Sequence, residues 1–148
     1  MTLNFQREKK DIETGRRVRG PRDYALINMP VVTADLEGEP VRALFDTGSS
    51  ITSIDLDIAK RRWGIEPGLP GVERAGTAYL PSGNVVELYK YTFKSLTVSG
   101  IKFENVPVYL GKFDRADLII GMNQLKHLRL FFAFKDGMIH VTGADAKR

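Results

Sequence analysis

From Tyr24 onward the chain runs in short apolar stretches separated by turn residues, the pattern of a mainly β protein. Tyr24 to Val32 reads as a strand interrupted at Pro30. Leu36-Glu37-Gly38-Glu39-Pro40 reads as a turn, and Val41 to Phe45 returns to complete a hairpin. Asp55 to Gly64 has acids at its start, bases at its end and a glycine stop, which predicts a short helix. Ile65 to Gly76, with Pro67-Gly68 and Pro70-Gly71, predicts a loop. Thr77 to Leu80 and Val85 to Leu88 flank Pro81-Ser82-Gly83-Asn84 and predict a hairpin. Tyr89 to Val98 and Ile101 to Leu110 predict another around Ser99-Gly100. The apolar phase changes from Tyr91 and Phe93 to Leu96 and Val98, which suggests a bulge or a crossing of layers near Ser95. Asp117 to Ile120 is an apolar strand ending at Gly121, with a helix predicted over Asn123 to Arg129. Phe131 to Phe134 and Met138 to Val141 flank Lys135-Asp136-Gly137 as a last hairpin. The expected class is all-β, with one or two short helices.

Composition narrows the function. The chain has 148 residues, enough for one domain with a substantial core. Its 43% hydrophobic and 27% charged residues are ordinary for a soluble globular protein. There is no cysteine, hence no disulfide, no Cys-based zinc site and no Cys nucleophile. The two histidines, His127 and His140, form no H-x-x-x-H pair, so no metal and no cofactor is expected. His127 falls in the predicted C-terminal helix, with a surface or capping role, and His140 in a strand, with no role assigned. No apolar run is long enough to span a bilayer. The first residues lack the layout of a signal peptide, which leaves open a signal or parent segment already removed, and with it a periplasmic or secreted location. The compartment is not read from the sequence.

Residues 1–22 are polar with a basic excess and too little apolar surface to fold alone. They are expected to be a disordered tail or linker, followed by a folded domain over 23–143 and a short tail over 144–148. The net charge of +4 is modest, and no aromatics interleave the basic residues of the tail. Nucleic acid is therefore not expected as a partner, although a tether to nucleic acid or an anionic surface is the rival reading.

Chemistry concentrates at Phe45-Asp46-Thr47-Gly48-Ser49-Ser50. An apolar strand delivers one carboxylate to a turn rich in hydroxyls and backbone N–H groups. A carboxylate there is costly unless it is hydrogen-bonded or shares a proton. Gly48 permits a close approach that a side chain would block. Taken alone, Asp-Thr-Gly is a weak signal and reads as a solvated turn between two strands. The second glycine element, Ile119-Ile120-Gly121-Met122-Asn123-Gln124-Leu125, changes the reading.

The two segments together resemble the retropepsin-like aspartic proteases, over roughly residues 24 to 142. The hairpin after the predicted C-terminal helix departs from the viral enzymes and looks more like bacterial members. The resemblance implies an acid-protease β-barrel with one lobe per chain, and an endopeptidase cutting extended polypeptides. It implies Asp46 as the catalytic residue, supported by Thr47, Gly48 and Ser49, with Ile119, Ile120 and Gly121 as the structural motif. Substrate would meet Gly48, Ser50, Ile51 and Ile54, and the flap residues Tyr79, Leu80, Ser82 and Gly83. The chain holds one Asp-Thr-Gly, so a homodimer is expected to pair Asp46 with its copy, with Thr47 bonding across the interface. A hydroxyl bond from Ser49 to ionised Asp46 would favour acidic operation. Trp63, the one tryptophan, is expected to be a packing residue. The alternative is a catalytically silent dimerising or peptide-binding module with the same fold.

Overall fold

The computed structural model describes residues 2–4, 31–113, 118–133 and 138–143. The strand expected over Tyr24 to Val32 lies outside them up to Pro30. Within them, β2 (Val31–Leu36) and β3 (Glu39–Phe45) form the first hairpin of the main sheet. Its two-residue turn, Glu37 and Gly38, has φ of 50° and 85°, and the Gly38 N–H donates to Asp35 Oδ1 at 2.7 Å. Positive φ at both positions matches the strand twist. Along both strands alternate residues point inward: Val32, Ala34 and Leu36 from β2, Val41, Ala43 and Phe45 from β3.

Then come β4 (Ser53–Asp55) and helix α1 (Leu56–Trp63). The predicted helix forms where its end signals place it. Asp55 caps its N-terminus, accepting from the N–H groups of Asp57 at 2.9 Å and Ile58 at 3.4 Å. Gly64 ends it in the left-handed region at φ 68°, where a side chain would be strained. Trp63 packs edge-on to Phe93 with centroids 5.8 Å apart, and its indole N–H donates to Leu36 O at 3.2 Å. It is a packing residue, as expected.

β5 (Glu73–Tyr79), β6 (Val85–Val98) and β7 (Ile101–Gly111) form an antiparallel meander. Two boundaries differ from expectation. The predicted loop over Ile65 to Gly76 yields to β5 from Glu73, with a register shift between Arg74 and Gly76. Both faces of this part of β5 are exposed, so no alternation marks it in sequence. The predicted pieces Val85–Leu88 and Tyr89–Val98 are one strand of 14 residues. Near Ser95, β6 and β7 keep one register, with Phe93 opposite Val106 and Ser95 opposite Glu104. Both strands change phase together there, with Asn105 at φ 52°. The layer crossing is realised without a slip. Beyond it Leu36 and Asp35 of β2 pair with Leu96 and Thr97. Glu37 secures the junction: its Oε1 accepts from Lys94 N at 2.6 Å and its N–H donates to Ser95 O at 3.0 Å.

β8 (Leu118–Ile120), helix α2 (Met122–Leu125), β9 (Leu128–Ala133) and β10 (Met138–Gly143) complete the described chain. The helix predicted over Asn123 to Arg129 is one turn long. From Leu128 a period of two takes over, Leu128 buried, Arg129 exposed and Leu130 half-buried, and the backbone pairs with β10 instead. The Lys135-Asp136-Gly137 turn lies outside the described residues.

The main sheet runs β2-β3-β8-β4-β7-β6-β5, and the β2–β6 pairing closes its first six strands into a barrel. β5 hangs outside, paired to β6 alone. The barrel interior holds Leu36, Phe45, Ile54, Phe93, Leu96 and Leu118 among its buried side chains. Each such side chain contributes roughly 1.5–3 kcal/mol by leaving water. A second, three-stranded sheet has the order β1-β10-β9 and shares the same core through Leu128, Ile139 and Val141; β1 (Thr2–Asn4) pairs antiparallel with β10. The tail expected over 1–22 therefore begins with a strand.

Candidate active site

The site is built where β3 and β8 end side by side. They are parallel, with Leu44 opposite Ile119 and Phe45 opposite Ile120, and Asp46 N–H donates to Ile120 O at 3.0 Å. β4 lies on the other side of β8, Ser53 opposite Ile119. Residues 46–52 must therefore bridge over the end of β8, from one of its flanks to the other. Gly121 sits under that bridge. A Cβ on it would come within 2.1 Å of Ile51 O and 2.8 Å of Ser49 O. Only glycine fits so close to another backbone.

Asp46 is half-buried at the start of the bridge. Its Oδ1 accepts from Gly48 N at 2.9 Å, and its carbonyl accepts from Ser49 N at 3.2 Å. The carboxylate is thus held by its own turn, an Asx-type bond. A Cβ at Gly48 would lie 3.2 Å from Asp46 Oδ1, tight enough to press on the carboxylate. Over the bridge, Ser49 O and Ser50 O accept from Met122 N at 2.7 Å and Asn123 N at 3.2 Å. These bonds satisfy backbone N–H groups at the start of α2 that have no partner inside the helix.

Thr47, Gly48 and Ser50 are exposed, and Ile51 is half-buried. Two expectations are corrected. Ile54 is 0% exposed and belongs to the barrel core, so it lines no cleft. It precedes a helix cap in a short strand flanked by β7 and β8, which fixes its side chain inward. Ser49 Oγ donates to Ile51 O at 2.8 Å, not to Asp46. A hydroxyl has one proton, so the argument for acidic operation from that bond lapses.

The remaining predicted residues lie on the β5–β6 hairpin. Tyr79 is 80% exposed, Leu80 is half-buried, and Ser82 and Gly83 are exposed at the tip. The tip is fixed within the hairpin: Leu80 N donates to Asn84 O and Gly83 N to Leu80 O, both at 2.8 Å. Gly83 has φ 87°, which the turn requires.

Two residues outside the predicted set complete the bridge. Thr52 is 0% exposed. Its hydroxyl donates to Asn123 Oδ1 at 2.7 Å and accepts from Gly121 N at 3.3 Å. The signal in sequence is a threonine between Ile51 and Ile54, where an apolar residue would serve the core equally. Among the described residues no group of three or more His, Cys, Asp or Glu could hold a metal ion. Among them, too, no helix is long and apolar enough to cross a membrane.

The sequence profile of the family described as aspartyl protease matches residues 32–124, more than half of the chain and the whole of this bridge. The chain belongs to the aspartyl protease family. Its fold is retropepsin-like: a solved retropepsin-like aspartic protease from Rickettsia conorii is similar, with a TM-score of 0.65. The match covers 96% of this chain and 97% of that one at 17% identity. No curated protein matches the sequence. Within this aspartyl protease fold, the profile match ends at Gln124, so β9 and β10 lie beyond it.

Proposed function

We propose that this protein is an aspartic endopeptidase, acting as a homodimer in which Asp46 of each subunit contributes half of a catalytic dyad. The observation that carries the reading is the Asp46 turn itself. An Asp-Thr-Gly carboxylate is held by Gly48 N and anchored through Ile120 and Gly121 to the second motif. Peptide hydrolysis by this route needs two carboxylates sharing one proton, and the sequence holds a single Asp-Thr-Gly. A two-fold axis beside Asp46 supplies the second.

The ionised Asp46 takes a proton from water as the water oxygen attacks the peptide carbonyl carbon. The protonated Asp46 gives its proton to the carbonyl oxygen. The resulting diol collapses: the C–N bond breaks, the nitrogen leaves with a proton, and one carboxylate is again protonated. Thr47, exposed in the single chain, would bond with its copy across the axis. Exposed Gly48 and Ser50 offer contacts to an extended peptide, and half-buried Ile51 offers apolar surface. The β5–β6 hairpin, with Tyr79, Leu80, Ser82 and Gly83, is the proposed flap over bound substrate. Bulky apolar residues beside the cleaved bond are the expected preference.

The test is cleavage of an unstructured polypeptide against pH and protein concentration, with wild type beside Asp46→Asn. Activity should rise more than linearly with protein at low concentration and vanish in the variant. A dimeric wild type that binds peptide and never cuts it would instead establish a silent binding module.

A further inference from the structure

The bridge over β8 is anchored in three places. At its entry, Asp46 N binds Ile120 O; at its crest, Met122 N and Asn123 N bind Ser49 O and Ser50 O. These bonds join backbone to backbone and do not depend on the side chains. Its exit is the one place where a side chain joins the backbone in holding it. Thr52 is wholly buried, yet both functions of its hydroxyl are used, donating to Asn123 Oδ1 and accepting from the buried Gly121 N–H. Its carbonyl accepts from Tyr109 N at 2.9 Å, which fixes the same residue to β7. Valine has the same shape and would suit the surrounding core, so packing alone gives no reason for the hydroxyl.

We infer that Thr52, with Asn123, is a positioning residue for Asp46: the pair clamps the exit of the 46–52 bridge to the segment after β8 and so sets where the carboxylate stands. The inference rests on the proposed dyad and adds to it. With the hydroxyl bonds lost, the bridge keeps its backbone bonds to β8, α2 and β7, but its exit is no longer locked to Gly121 and Asn123. Because Asp46 lies on that bridge, the separation of the two carboxylates would widen in the dimer.

The consequence can be told apart from a loss of folded protein. Two carboxylates sharing a proton titrate further apart the more closely they are held. Loosening brings the two apparent pKa values together and narrows the bell-shaped pH dependence of kcat/KM from both sides. Mere instability lowers the bell without moving its limbs. Asp46 is the one ionisable side chain on residues 46–52 and 118–125, so no other group of these segments shapes the limbs. Asp117 lies outside the described residues.

The experiment compares wild type, Thr52→Val, Thr52→Ser and Asn123→Ala at concentrations where sedimentation shows each to be dimeric. Thr52→Val should lower kcat about tenfold or more, as a small misplacement of a catalytic group does. KM should change by less than about twofold. Both limbs of the bell should move inward, and Thr52→Ser should restore them. If Thr52→Val does not fold, Asn123→Ala is read in the same way, since it leaves the Gly121 to Thr52 bond in place. Unmoved limbs in the variants beside an active wild type overturn this inference alone. A wild type that never cleaves overturns it together with the dyad.

Discussion

Two glycines in this molecule have opposite jobs. At Gly121 a methyl group would enter the van der Waals radius of the Ile51 carbonyl, 2.1 Å away, and two backbone segments would have to part. Gly121→Ala should therefore cost more than about 3 kcal/mol and disrupt the bridge, checked by denaturant unfolding. At Gly48 a methyl would meet only the tip of a side chain, Asp46 Oδ1, at 3.2 Å. That turn can yield, so Gly48→Ala should keep its unfolding midpoint and lose peptidase activity. Equal damage to stability from both substitutions would contradict this division. The Ser49 hydroxyl teaches a related lesson. The nearest acceptor to a serine is a matter of local backbone geometry, and here a carbonyl two residues on takes the proton in place of the carboxylate.

At the scale of elements, α1 shows how much one buried acid can organise. Asp55 is nearly buried, and its two oxygens serve different partners. Oδ1 caps the helix, and Oδ2 accepts from Phe113 N at 3.0 Å, beyond the end of β7. Replacing it with alanine removes a cap and leaves a distant N–H without its acceptor. Asp55→Ala should cost about 1–3 kcal/mol, read as a lowered thermal midpoint with a cooperative transition retained. The helix itself was legible because its signals are local: acid at the start, Lys60, Arg61 and Arg62 at the end, and Gly64 after it. α2 was legible only in part. Its single turn gives way to β9, whose pairing with β10, expected from Phe131 onward, reaches back to Leu128. β5 was missed at its start because neither face of Glu73 to Thr77 is buried, which leaves no apolar alternation to read.

At the scale of the whole molecule, the β2–β6 pairing turns a sheet into a barrel and leaves the β5–β6 hairpin projecting from it. Each chain can close its own core, while the proposed chemistry needs two chains. Folding and activity should then respond differently to dilution. A single subunit should retain its far-ultraviolet circular dichroism when diluted, while specific activity falls along the same curve as the dimer fraction measured by sedimentation. Activity per subunit that stays constant through dissociation would exclude a dyad shared between subunits.

By itself the sequence determined the fold class, the family resemblance and the identity of the candidate carboxylate. These follow from short-range signals: alternation in β2 and β3, turn residues at Glu37-Gly38, helix ends at Asp55 and Gly64, and the two glycine motifs. Tertiary structure alone decided which side chains those motifs use. Ile54 faces the barrel because β4 is wedged between β7 and β8, and Thr52 meets Asn123 across 71 residues of chain because β3 and β4 flank β8. The physical reason is range. Periodicity and turn chemistry act over a few residues, whereas the direction of a side chain near a bridge depends on strands that sequence brings from far away.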